Sequence, residues 1–278
     1  MGKILDYTEQ TSVAAADVLI IDGASGTKKI KASDMILLAL DAATSTAGRA
    51  GLHNSIYRGK YLGTAVTTAQ YTAIANGTFD DLWLGDYWTI GNVNYRIMHF
   101  NYYMNCGDTQ TTKPHILLVP DSCLYNAEMN DKNITDGAYA GSVMYTAKLA
   151  TAKTTISDAF SGHVLSHRVY LNNATSNGRV SGGSWYDSTV DLMNEQMVYG
   201  SGIFNPVSDG TNIPANYRVE KSQLAGFAKN PALITNRANW WLRDVVSTAN
   251  FSGVTSRGYA VCDGASLSNG VRPAFCIC

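Results

Sequence analysis

The spacing of apolar and polar positions changes character along the chain. Residues 17–22 form a short apolar run, 23–26 carry Gly-Ala-Ser-Gly turn chemistry, and 27–31 alternate enough to return as the partner of a hairpin. Ser33 or Asp34 can then cap a short helix over residues 35–40. A hairpin and one short helix bury too little apolar surface to be stable alone. Residues 1–50 are therefore expected to form a module that packs against copies of itself or against a larger particle, the alternative being an extra strand docked on the main domain. Residues 42–48 are small and polar, without an apolar period, and read as a linker.

From residue 56 the pattern turns to short aromatic and aliphatic bursts. Residues 57–63 are strand-like, and 68–76 read as a helix opened by a Thr cap and closed by Asn76-Gly77. The bursts at 82–84, 87–90, 94–100 and 115–120 are separated by turn residues at Gly85-Asp86 and Gly91-Asn92. They predict strands of an antiparallel sheet, with the run that ends at Pro120 central and buried. Residues 139–149 and 155–160 predict a helix or two, and 163–171 a strand. Residues 181–187 read as an aromatic-tipped loop, and 191–199 as a helix with Leu192, Met193 and Met197 on one face. Residues 222–228 and 230–234 lead through loop to Trp240. Strands without βαβ alternation, two or three helices and long loops give an α+β domain over residues 56–278.

Composition narrows the function classes. Charged residues are only 15% and the net charge is -1, with Lys and Arg scattered, so nucleic acid is not an expected partner. The longest apolar run, at 34–40, is far below the ~20 residues that a membrane span needs, and the N-terminus lacks the continuous apolar stretch of a secretory signal. Sixteen Tyr and five Trp accompany an excess of Gly, Ser, Thr, Asn and Ala. That mixture suits a binding surface, where Tyr supplies amphipathic contact area and the small polar residues adaptable hydrogen bonds. Five cysteines without CxxC spacing argue against a disulfide scaffold and fit synthesis in a reducing cytoplasm.

Candidate chemistry is sparse. His163 and His167 stand four apart, but their apolar neighbours favour a strand over a metal-binding helix. Asp158, Asp187 and Asp191 are too scattered for a hydrolase, and there is no compact acidic loop for calcium. No catalytic group, metal or cofactor is expected.

Two resemblances add to this reading. The run Val-Leu-Ile-Ile-Asp-Gly-x-x-Gly-Thr-Lys-Lys-Ile at residues 18–30, followed by a short apolar helix, looks like the N-terminal attachment segment of bacteriophage virion proteins, including head and tail fibres. It implies a homotrimeric appendage held to phage capsid or tail proteins through residues 1–50, located in the virion and made in the host bacterial cytoplasm. At the other end, Trp241-Leu242-Arg243-Asp244 and Gly270-Val271-Arg272-Pro273-Ala274-Phe275 resemble the C-terminal signature of a phage and bacterial group. That group has the C-type-lectin-like fold of formylglycine-generating enzymes. Tyr95-Arg96-Ile97, Leu117, Val119, Pro120 and the 187–195 segment fit the same group.

Some members of this fold are variable proteins of diversity-generating retroelements, whose randomised AAC or AAT codons never encode Lys, Glu, Gln, Trp or Met. Residues 244–271 contain none of these types. The resemblance therefore implies ligand-binding positions at Asn250, Ser252, Thr255, Ser256, Arg257, Tyr259, Val261, Asp263, Ser266 and Ser268, facing a bacterial-surface glycan or protein. Trp241, Arg243, Arg272 and Phe275 are expected to frame them, the aromatics as core anchors and the arginines as planar forks tying loop carbonyls or Asp244. The alternatives are a capsid head-fibre or decoration protein without host binding, and an enzyme of the formylglycine-generating type. Cys262, Cys276 and Cys278 lie in no recognisable catalytic setting, which disfavours the enzyme.

Overall fold

A computed structural model of the chain describes residues 18–23, 26–31, 48–204 and 222–278. The chain divides into two compact units, residues 1–52 and 53–278. In the first, β1 (Val18–Gly23) and β2 (Gly26–Lys31) pair antiparallel, in register from Val18 opposite Lys31 to Gly23 opposite Gly26. This is the hairpin that the apolar run and the Gly-rich turn predict. The expected helix over 35–40 and the linker residues 42–47 lie outside the described residues. A short helix, α1 (Gly48–His53), follows in sequence.

The second unit is α+β, with mostly antiparallel sheets and few helices. It begins with α2 (Thr68–Ala75), β3 (Tyr87–Ile90), β4 (Val93–Phe100), β5 (Ile116–Pro120) and β6 (Tyr125–Ala127). Next come α3 (Leu149–Phe160), β7 (His167–Ser176), β8 (Arg179–Ser188), β9 (Val190–Leu192), α4 (Glu195–Tyr199) and α5 (Ala225–Lys229). The last stretch holds β10 (Trp240–Val245), β11 (Asn250–Val254), β12 (Ala260–Gly264), β13 (Asn269–Val271) and β14 (Pro273–Ile277). One sheet has the order β3-β4-β5-β14-β9, a second β12-β11-β10-β13-β6, and β7 with β8 forms a separate ribbon.

Local chemistry accounts for the first sheet and its helices. Thr67 and Gln70 form a reciprocal capping box that starts α2, and Asn76 followed by Gly77 at φ 67° ends it. Gly91 and Asn92, at φ 56° and 65°, make the two-residue turn that joins β3 to β4, a geometry matched to the twist of the flanking strands. Every residue of β5 is buried, as its unbroken apolar run predicts. A π-helical turn (Met144–Lys148) runs into α3, whose Leu149, Ala152, Ile156 and Phe160 form one buried stripe. Phe160, Tyr95 of β4 and Phe275 of β14 meet with ring centroids 5.1–5.7 Å apart, fixing α3 on the sheet.

Five elements differ from the sequence expectation. Residues 57–63 are not a continuous strand but meet their neighbours through single bridges at Tyr57 and Tyr61. Residues 82–84 are not a strand but a turn region with one bridge, Tyr57 to Leu84. Residues 181–187, read as a loop for their Ser and Gly content, belong to β8, where a Cβ on Gly183 would lie 2.5 Å from the Tyr170 ring. The glycine gives a cross-strand aromatic its seat. The expected 163–171 strand begins instead at His167, because Leu165 N already bonds the Cys276 carbonyl at 2.8 Å. Residues 191–199 split into β9 and α4, since the Asn194 side chain accepts from Met197 N at 2.8 Å and starts the helix only there.

One buried histidine makes stability pH-dependent. The His167 ring packs tilted against Tyr103 with centroids 3.9 Å apart, and among the described residues neither of its nitrogens has a hydrogen-bond partner. Burial, with His115 and Arg243 nearby, pulls its pKa from 6.5 down to about 3. The unfolded chain binds the proton first, so stability is complete above pH 6.5 and falls as pH drops toward about 3. The decline is at most about 1.4 kcal/mol per pH unit for this one group. His167→Phe, which keeps an aromatic ring against Tyr103, should flatten the Tm profile between pH 6.5 and 4. An unchanged slope would place the acid sensitivity elsewhere.

Candidate functional site

The segment expected to carry recognition folds as the hairpin β11–β12 at the edge of the second sheet. Its register sets Phe251 opposite Asp263, Ser252 opposite Cys262 and Gly253 opposite Val261. Because side chains alternate between faces, Asn250 and Ser252 share one face with Cys262, while Val261 and Asp263 share the other with Phe251. The turn at 255–259 is closed by its own backbone, Thr255 N to the Tyr259 carbonyl at 2.7 Å and Gly258 N to the Thr255 carbonyl at 2.9 Å. Thr255 Oγ1 accepts from Tyr259 N at 3.1 Å. Two outside contacts hold this turn: Asn239 Oδ1 accepts from Ser256 N at 2.9 Å, and the Tyr199 hydroxyl donates to the Gly258 carbonyl at 3.2 Å. Gly258 sits at φ 86°, where a Cβ would also lie 2.7 Å from Thr235 Oγ1. The tip that results presents Arg257 and Tyr259, the latter 69% exposed.

The ten expected recognition residues do not form one surface. Ser252 must be withdrawn: it is fully buried, and its hydroxyl donates to Glu195 Oε1 at 2.5 Å. A serine reads as polar surface in sequence, but β11 runs between β10 and β12, and only its end residue Asn250 is even half-buried. Thr255 and Ser256 are half-buried and build the turn, leaving Arg257 and Tyr259 outermost. Asn250 is tied to Ser247, and Asp263 Oδ2 accepts from Asn269 Nδ2 at 2.7 Å. Val261 is half-buried on the edge strand. Ser266 and Ser268 are exposed, but they lie past the other end of β12, about 15 Å along the strand from the tip. Ser266 N and Oγ both donate to Asn133 Oδ1 at 2.9 Å.

The expected frame residues are all buried. Trp241 is fully enclosed, and its Nε1 donates to the Ala127 carbonyl at 2.8 Å, joining β10 to β6. Phe275 belongs to the aromatic cluster beneath α3. Arg272 stands between β13 and β14, where the chain passes from one sheet to the other. Its Nε donates to the Pro120 carbonyl at 2.8 Å and its Nη1 to the Leu233 carbonyl at 2.9 Å. The guanidinium also lies over the Trp240 ring, 5.0 Å from the centroid. Burial lowers its pKa to about 10, so it remains charged at neutral pH. Arg243 is buried beside Asp191, whose carboxylate accepts from Tyr139 at 3.1 Å and from Ser188. Burial raises the Asp191 pKa, and the Arg243 charge opposes that rise.

Sequence reasoning missed Glu195 as an anchor, and it gave Asp244 an arginine as its partner where the structure adds the backbone of α4. Asp244 Oδ2 accepts from Glu195 N at 2.6 Å, so it reaches the first turn of α4. Buried Glu195 receives Ser252 Oγ and Ile203 N at 2.5 Å and Phe204 N at 3.1 Å. The available signal was Asn194 as a cap with Gly200 as the left-handed stop, which places Glu195 at the start of the helix.

No family model, curated protein or solved structure matches the chain. What the site can do is therefore argued from its geometry. Among the described residues no group of three or more His, Cys, Asp or Glu side chains could hold a metal ion. Cys276 is buried in β14, and burial pushes its thiol pKa well above the usual value. Cys262 lies on the other sheet.

The frame makes a stability prediction. Arg272→Ala empties a fully packed position and leaves the Pro120 and Leu233 carbonyls without their donor, an expected loss of about 3 kcal/mol. Urea denaturation checks it, and a midpoint equal to that of the wild type would remove Arg272 from the frame.

Proposed function

We propose that this protein is a non-enzymatic bacteriophage virion protein, head- or tail-fibre-like, whose second unit is a C-type-lectin-like domain that binds a bacterial-surface ligand. The observation that carries the reading is the β11–β12 hairpin, an exposed tip of Arg257 and Tyr259 held by hydrogen bonds within its own backbone and with Tyr199 and Asn239. Tyr and Arg are the residue types that most often dominate binding energy at interfaces, and a turn fixed before binding loses little entropy on contact. The absence of Lys, Glu, Gln, Trp and Met from residues 244–271 supports diversification of this segment by a retroelement. Residues 1–50 serve as the attachment and trimerisation module, so that three weak sites act together through avidity.

Fluorescently labelled full-length protein applied to a panel of bacterial strains tests the reading. Binding to at least one strain is expected. The double substitution R257S/Y259S should weaken it by about tenfold or more without changing Tm. Attachment to phage particles with no binding to any cell would favour a purely structural coat protein, and a monomeric mass in solution would overturn the trimer.

A further inference from the structure

The ribbon β7–β8 carries a second surface that the hairpin tip does not share. One of its faces is buried, with Val169 and Leu171 in the core. On the other face the paired register lines up Arg168 opposite Asp187, Tyr170 opposite Trp185 and Asn172 opposite Gly183. These pairs lie two residues apart along the strands, so a charged pair is followed by an aromatic pair about 7 Å away on the same side. Tyr170 and Trp185 meet edge to face at 5.4 Å and are both half-buried. Gly183 leaves room for the Tyr170 ring to lie over the backbone, since a Cβ there would come within 2.5 Å of it.

The charged end of this face opens into a cleft of about 370 Å³ lined by Thr109, Gln110, Thr111, Ser166, Arg168 and Asp187, with buried His167 behind them. The cleft is held in shape. Arg168 donates to both oxygens of Asp108, Nε to Oδ1 at 2.7 Å and Nη2 to Oδ2 at 2.9 Å, and its Nη1 reaches Asp187 Oδ1 at 3.2 Å. Gly107, at φ 110°, lets the 105–111 loop approach Arg168 so closely that a Cβ would sit 2.9 Å from the arginine's own. Asn105 N closes that loop on the Thr111 carbonyl at 2.9 Å.

The chemistry of this surface fits a hydroxyl-rich, uncharged ligand. Arg168 is already committed to two carboxylates, and Asp108, Asp187 and Arg168 together leave the cleft one negative charge, which repels phosphate, sulfate and acidic sugars. The Asp187 side chain is 80% exposed and uses one acceptor site on Arg168, so it retains lone pairs for hydroxyl groups, and the Gln110 amide and the Thr and Ser hydroxyls can both donate and accept. The adjacent, half-buried Trp185 ring, braced edge to face against Tyr170, adds apolar surface suited to the C–H face of a pyranose ring. We propose that the Arg168–Asp187 cleft and the Tyr170–Trp185 platform together bind a neutral oligosaccharide, independently of the 255–259 tip.

An array of bacterial-surface oligosaccharides, neutral and acidic, probed with the full chain tests this. Binding to neutral structures is expected, with a loss of about tenfold or more in both Trp185→Ala and Asp187→Asn and none in R257S/Y259S. Asp187→Asn alters a mostly exposed side chain, so its Tm should match the wild type and keep the result interpretable even where Trp185→Ala fails to fold. Absence of neutral binders, preference for acidic ones, or neutral binding that survives Asp187→Asn would each overturn the proposal. None of these outcomes depends on whether whole cells are bound through the tip.

Discussion

The constraint on which the second unit depends is the passage of one extended segment through both sheets at Arg272. β13 pairs with β10 and β6, β14 pairs with β5 and β9, and a single residue separates them. At that step the backbone must leave one hydrogen-bonding ladder and enter another, and Pro273, which has no N–H to offer, stands at the entry. The Arg272 guanidinium spans the break by donating to the end of β5 and to the 3-10 turn before β10, with Trp240 beneath it. A planar fork can satisfy several carbonyls at once, which an ammonium on a flexible stem does less well. The close approach at Gly270 belongs to the same joint, for a Cβ there would lie 2.2 Å from Cys123 Sγ.

Around this joint the buried polar groups are distributed in connected sets. Asp191, Tyr139 and Ser188 cluster beside Arg243, while Asp244, Glu195 and Ser252 link β10, α4 and β11. Burying charge is costly unless it is hydrogen-bonded, and here each carboxylate collects backbone or hydroxyl donors. Such sets specify geometry more strictly than apolar contacts, because a slip of one residue would leave several donors unsatisfied. They fix the base of the β11–β12 hairpin, which the sheet's edge position alone would leave only half supported.

Much of this fold was legible in the sequence where local chemistry and tertiary context agree. The capped helix α2, the Gly91-Asn92 turn, the buried run of β5 and the first-unit hairpin follow from caps, turn residues and periodicity. Reading failed where a distant partner reassigns a residue. Ser and Gly at 181–184 signal a loop until Tyr170 is placed over Gly183. Ser252 signals surface until Glu195, 57 positions away in sequence, is set against it. The four frame residues were singled out by the resemblance of the two C-terminal runs, and their burial agrees with the roles expected of large aromatics as core anchors and arginines as planar forks. The single recognition face was not, because a list of variable-looking positions carries no information about strand alternation.

That alternation also explains where sequence change is tolerable. Four of the five residues of β11 are buried, whereas every residue of β12 is half-buried, and among the described residues β12 has a strand neighbour on one side only. Substitutions on the outer strand and at the tip therefore meet few fixed neighbours, while those on β11 disturb packing or the Glu195 network. An edge strand is normally an aggregation hazard, but β12 is five residues long, carries Asp263 and ends at Gly264. Asp263 accepting from Asn269 turns one of its outward groups back onto the same sheet. The edge can thus vary at its tip without becoming a template for another chain.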